Sequence, residues 1–105
     1  MIILLYTVVP RGEAQRETHE EMTRKMQALA EATSKFLGAE YYDRSDGGTF
    51  GVFRFEDEQA LAAWRDHPDH GETHRRGVEE VYATYQVEIC QRVRDASFTW
   101  EPASG

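Results

Sequence analysis

Three of the four histidines of this chain, His67, His70 and His74, fall within eight residues, and Trp64 precedes them. The steps from Trp64 are three, three and four, which on a continuous helix would put all four side chains on one face. Pro68 disturbs the first step, because a proline pushes the residue before it out of the helical region. Spacing alone therefore keeps only His70 and His74 together. Two imidazoles beside an indole suggest proton transfer first: histidine has a reference pKa of about 6.5 and serves as a base near neutral pH. They suggest a metal second, since an i, i+4 histidine pair can chelate zinc. However, Glu72 is not adjacent to His70 as in H-E-x-x-H and no fourth ligand is apparent, so no metal site is expected. A purely structural reading stands beside both. In it His67 caps a short helix, His70 pairs with Asp66 or Asp69, Trp64 is core, and His19, set among acidic residues, is surface.

These residues need elements to hold them. Ile2 to Val9 is β-branched and apolar on both faces and reads as a first strand. Residues 14 to 36 read as a helix with the stripe Met22, Met26, Leu29, Thr33 and Phe36, stopped by Gly38. Ala39 to Arg44 and Thr49 to Phe55 read as a hairpin about Ser45-Asp46-Gly47-Gly48. Glu56-Asp57 opens a second helix with Ala60, Leu61 and Trp64 inward, and Pro68 to Arg76 forms a short third one that Gly77 could end. From Val78 to Arg94 the chain becomes a long fourth strand after an uncertain join. The order β-α-β-β-α-β predicts an α+β ferredoxin-like domain, residues 1–105, with an antiparallel four-stranded sheet and both helices on one face. The other face, expected to carry Tyr82, Thr84 and Cys90 or their neighbours, needs a cover, and a second copy is the simplest one.

The net charge of -7 argues against nucleic acid or an anionic membrane as a partner, since phosphate binding needs a basic footprint. The lone cysteine, Cys90, excludes an intramolecular disulfide and reads as a small core or interface residue. Met1 to Val9 is too short to span a membrane and lacks a basic leader, so a cytoplasmic protein is expected. Phe98 and Trp100 are costly to expose in a polar tail, so residues 96–105 are expected to pack, with the partner subunit as one candidate. Arg92 and Arg94 are expected to pair with acidic groups across a dimer, with the orienting of an anionic substrate as the alternative.

Phe53-Arg54-Phe55-Glu56, Ala60-Leu61-Ala62-Ala63-Trp64-Arg65, His67-Pro68-Asp69-His70, Arg75-Arg76-Gly77 and Tyr82 to Cys90 together resemble the antibiotic biosynthesis monooxygenase family. The resemblance covers nearly the whole chain and is most specific between Ala63 and Gly77. It implies a homodimeric α+β barrel with a pocket between sheet and helices in each subunit. It further implies a monooxygenase that works without a cofactor on an aromatic, polyketide-like or quinol-type small molecule. In that reading His70 or His74 is the base, Trp64 is pocket wall and orienter, and Phe36, His67 and Tyr85 line the substrate pocket. Haem-degrading relatives offer an alternative, in which a Trp is followed ten residues later by the iron-ligating His, here Trp64 and His74. Those relatives also carry an Asn in the first strand, where this chain has Tyr6 or Thr7. A non-catalytic dimeric ligand-binding protein is the third possibility.

Overall fold

The computed structural model describes residues 1–103. Strand β1 (Ile2–Pro10) leads into helix α1 (Glu13–Glu31), then the hairpin strands β2 (Phe36–Asp43) and β3 (Thr49–Phe55). Helices α2 (Glu58–Arg65) and α3 (Pro68–Arg76) follow, then a π-helical turn, Gly77–Val81, and strand β4 (Tyr82–Gln91). The sheet order is β2-β3-β1-β4 with every neighbouring pair antiparallel, which is the expected ferredoxin-like arrangement.

Alternation in β1 sends Ile2, Leu4, Tyr6 and Val8 toward the helices. Ile2, Leu4 and Val8 are buried. Phe53 and Phe55 of β3 join them, and Ala30, Ala60, Leu61 and Trp64 close the core from the helical side. Asp57 begins α2 by accepting the Ala60 N–H at 2.9 Å and is itself held by Lys35 at 3.1 Å.

Three local readings of the sequence are corrected. Helix α1 ends at Glu31, not at residue 36: the Thr33 hydroxyl bonds back to the Leu29 carbonyl at 2.9 Å, and Lys35 takes a left-handed φ of 66°. The stripe therefore stops at Leu29, and Phe36 opens β2, where its ring packs on Phe53 and Phe55. Gly38, with φ 142°, follows the unpaired Leu37 in a bulge inside β2 and is not a helix stop.

The second correction concerns the join before β4. Val78–Val81 is helical, Gly77 continues α3 instead of ending it, and the strand stops at Gln91. Arg11 holds this turn: its guanidinium donates to the carbonyls of Val78 at 2.9 Å and Tyr82 at 3.1 Å, and its backbone N–H to that of Val81 at 2.8 Å.

Third, the register shifts between Val9 and Pro10, opposite Ala83. The bulge turns Tyr82 to the helix side with Tyr85, Val87 and Ile89, and leaves Thr84 and Cys90 on the open face as expected. Cys90 is exposed there, so it is not a core residue. Beyond β4, Val93, Phe98 and Trp100 are 97%, 85% and 72% exposed, and Arg92 pairs locally with Asp95 at 3.8 Å. Residues 104 and 105 of the expected packing tail lie outside the described residues. Among the described residues, no helix is long and apolar enough to cross a membrane.

Candidate functional site

A cavity of about 120 Å³ lies between α1, α3 and the sheet. Its floor is Leu4, Tyr6 and Val8 of β1, Phe53 of β3, and Val87 and Ile89 of β4; its roof is Met22, Thr23 and Met26 of α1. Trp64, His70 and His74 close one side, and His19, Tyr82 and Tyr85 the other. The lining is mostly apolar with a few convergent polar groups, the usual make-up of a small-molecule site.

The aromatic groups form a continuous arc. The Trp64 and His70 rings meet edge to face at 4.3 Å, and His70 lies parallel to His74 at 6.5 Å. His74 meets Tyr85 at 4.7 Å, Tyr85 stacks on Tyr82 at 5.7 Å, and Tyr82 meets His19 at 6.1 Å. The break at Pro68 is what brings His70 under Trp64, because α3 restarts at a new angle instead of prolonging α2.

Trp64 is 5% exposed, packs on Phe53 and Phe55, and donates its indole N–H to the Met26 carbonyl at 3.0 Å. Its only polar group is thereby used inside the protein, so it presents an apolar wall to the cavity. His70 packs on that wall rather than pairing with Asp66 or Asp69. Burial, then the nearby His74 and Arg65, push its pKa down to about 4, so the ring is neutral at pH 7. Burial also raises the phenols: Tyr82 to about 12, Tyr85 upward, and Tyr6 further, with Tyr41 and Tyr82 adding to the effect. All three remain protonated donors near neutral pH.

Two of the expected pocket residues lie elsewhere. Phe36 packs in the core beside Phe53 and Phe55 and does not border the cavity. His67 is exposed, and its Nδ1 accepts the Asp69 N–H at 3.0 Å as the cap of α3. That is its structural role, because a proline at the first helical position leaves the next N–H free for a side-chain acceptor.

Among the cavity residues not singled out from the sequence as pocket residues, three carry a polar ring: Tyr6, Tyr82 and His19. Tyr6 lies across Gly51, its β3 partner, where a side chain would overlap the ring. Tyr82 lies likewise over Gly77. The pairing of an aromatic with a glycine is a usable sequence signal only once register is known. His19 was read as surface, yet it is 6% exposed, with Nε2 3.4 Å from the Thr49 hydroxyl and no partner on Nδ1. Its charged neighbours on α1 point to solvent, while one helical turn carries His19 onto the Met22 face.

A model of the antibiotic biosynthesis monooxygenase family matches residues 1–76, from β1 to the end of α3. The chain belongs to this family. The family match stops before Tyr82 and Tyr85, so the β4 side of the cavity lies outside it. A comparison with curated proteins finds no match. Among solved structures, the chain is similar to Rv0793 from Mycobacterium tuberculosis, at 20% identity over 91% of this chain and 98% of that one, TM-score 0.76. PA3566 from Pseudomonas aeruginosa is similar at 16% identity, 89% and 94% coverage, TM-score 0.72. SnoaB, a cofactor-independent oxygenase from Streptomyces nogalater, is similar at 9% identity, 90% and 94% coverage, TM-score 0.75. At these identities the likeness shows the shared fold.

Haem does not fit this member of the family. A cavity volume of about 120 Å³ is near that of a cavity holding a single benzene ring. A four-pyrrole macrocycle is far larger, and the Tyr85 ring already lies against His74. Among the described residues, no three His, Cys, Asp or Glu side chains converge as a metal site.

Proposed function

We propose that this chain is a cofactor-independent monooxygenase that oxidises a flat phenol- or quinol-type aromatic in the cavity beneath α1. The observation that supports this reading is the pair His70 and His74, set between the Trp64 wall and Tyr85 on the edge of a mostly apolar cavity. An arene slides against Trp64 and the methionines, and its hydroxyl meets the imidazoles. His74 takes the hydroxyl proton. The arenolate passes one electron to O₂, superoxide and the aryloxyl radical combine at a ring carbon, His74 returns its proton to the peroxide, and the resulting hydroperoxide loses water. The net reaction is ArH(OH) plus O₂ to quinone plus H₂O, with two substrate hydrogens leaving in the water.

The environment of His70 favours His74 as the base. An imidazole whose conjugate acid lies near pKa 4 is a weak acceptor for a phenolic proton of pKa about 10. His70 instead serves as a neutral hydrogen-bonding neighbour that orients the substrate oxygen. A panel of phenols, hydroquinones and anthrones with oxygen uptake as readout tests the assignment. His74→Ala is expected to lower kcat/KM by about 10²- to 10⁴-fold, with a smaller loss for His70→Ala. No turnover above buffer on any substrate, or an unchanged rate in both variants, would leave the ligand-binding alternative in its place.

The same reading includes a homodimer. The open sheet face carries Ile3, Leu5, Val9 and Phe50 around the Glu40–Arg54 pair, and the tail bears the exposed Val93, Phe98 and Trp100. A second copy packed on this face, with the tails laid across it, covers both. Sedimentation at micromolar concentration is expected to give twice the chain mass. A monomer there, or a dimer unaffected by removal of residues 96–105, overturns the dimer or the tail's part in it.

A further inference from the structure

We propose that His19 is a second polar anchor of the cavity, binding through Nδ1 a hydroxyl or carbonyl at the end of the ligand remote from His70 and His74. This rests on the reading of the cavity as an aromatic-binding site and adds a recognition requirement to it.

Four observations carry it. His19 borders the central cavity and is buried. Its Nε2 edge is turned to the Thr49 hydroxyl at 3.4 Å, which leaves Nδ1 as the ring nitrogen not engaged with that hydroxyl. Nδ1 is itself buried and has no hydrogen-bond partner among the described residues, whereas buried polar atoms in folded proteins are almost always partnered. His19 also stands seven residues before Met26, whose carbonyl holds Trp64. Two turns of α1 therefore separate the His19 end from the Trp64 end by about 10 Å.

Between these ends the roof is Met22 and Met26 and the floor Leu4 and Phe53, all apolar. A ligand with one polar end leaves either the imidazole pair or His19 unmatched; one with polar groups at both ends satisfies both. Burial lowers the pKa of His19, so the ring is neutral and one nitrogen donates while the other accepts. The site thus accepts a hydroxyl or a carbonyl, and it admits substrate and quinone product alike. The cavity is open to solvent beside Tyr85 and Ile89, which are 42% and 49% exposed, so a two-ring arene has a way in.

The test compares 2,6-dihydroxynaphthalene, a flat arene with hydroxyls at opposite ends, with 2-naphthol, which lacks one. Binding is measured anaerobically by calorimetry, so that turnover does not interfere. The wild-type chain is expected to prefer the diol by about two- to tenfold, the range of one net hydrogen bond. His19→Phe is expected to lose the preference while still binding 2-naphthol. His19→Asn, whose amide puts a polar atom near the place of Nδ1, is expected to restore it. In the wild type the ¹⁵N resonance of His19 Nδ1 is expected to move with the diol and to stay in place with 2-naphthol, a readout that needs no variant to fold. A diol preference that survives in His19→Phe, or an unmoved Nδ1 resonance with the diol bound, overturns the anchor and leaves the aromatic site intact. If neither arene binds the wild type, the aromatic reading of the cavity falls and the anchor falls with it.

Discussion

The indole N–H of Trp64 donates to the backbone carbonyl of Met26 across 3.0 Å, joining α2 to α1 directly above the cavity. This bond fixes the distance between the two helices at the point where the cavity begins. It also means that removing the ring costs packing and a bridge together. Trp64→Ala is expected to destabilise the fold by about 3–5 kcal/mol, and Trp64→Phe, which keeps most of the packing and loses the bond, by about 1–2 kcal/mol. Urea unfolding measures both; a loss below 1 kcal/mol in the alanine variant would show that Trp64 is not the keystone of this helix pair.

Acid should weaken the fold through His70 before the carboxylates titrate. The folded pKa lies near 4 and the unfolded value near 6.5. Within that window the unfolded chain binds a proton that the folded chain refuses, so stability is full above pH 6.5 and is lost as pH falls toward 4. The whole window is worth at most about 3 kcal/mol. His19 shifts in the same direction, again because of burial. The drop in unfolding free energy between pH 7 and pH 5 is expected to shrink in His70→Phe. An equal drop in wild type and variant would assign the acid sensitivity elsewhere.

Gly51 and Gly77 are required by the rings that cross them. A Cβ at Gly51 would overlap Tyr6, and one at Gly77 would overlap Tyr82. Both rings line the cavity, so either must swing into it to make room. Gly51→Ala is expected to cost about 1–3 kcal/mol, as overpacked interiors do, and to weaken arene binding. The near-ultraviolet circular dichroism of the tyrosines reports the displacement, and a spectrum and affinity like the wild type's would contradict it.

Arg11 is expected to control local opening of the π-helical turn. Its side chain donates to the carbonyl of Val78 within that turn and to that of Tyr82 just after it. In Arg11→Met the amides of residues 78–82 should exchange with solvent about tenfold faster, while those of β3 keep their protection. Uniform acceleration across the sheet would instead point to global destabilisation.

The sequence by itself determined the succession of strands and helices along the chain as far as α3, and the family. Those depend on short-range quantities: the two-residue alternation of β1, the helical spacing of Met22, Met26 and Leu29, the turn residues between β2 and β3, and Pro68 before a new helix. It also singled out Trp64, His70 and His74, because their spacing along the chain survives in space.

Tertiary structure decided which side chains share the cavity, and here the local pattern misled. Phe36 appeared to extend the α1 stripe, but the left-handed residue Lys35 moved it into a strand and the core. Tyr82 appeared to face the open side of the sheet, but one bulged residue opposite Val9 and Pro10 reversed it. His19 sits among charges in sequence, yet the rotation of α1 against the sheet buries it. A one-residue change of register inverts every later side chain, and a helix shows its buried face only once it is docked. Both are properties of packing between distant segments, so no reading of neighbours along the chain supplies them.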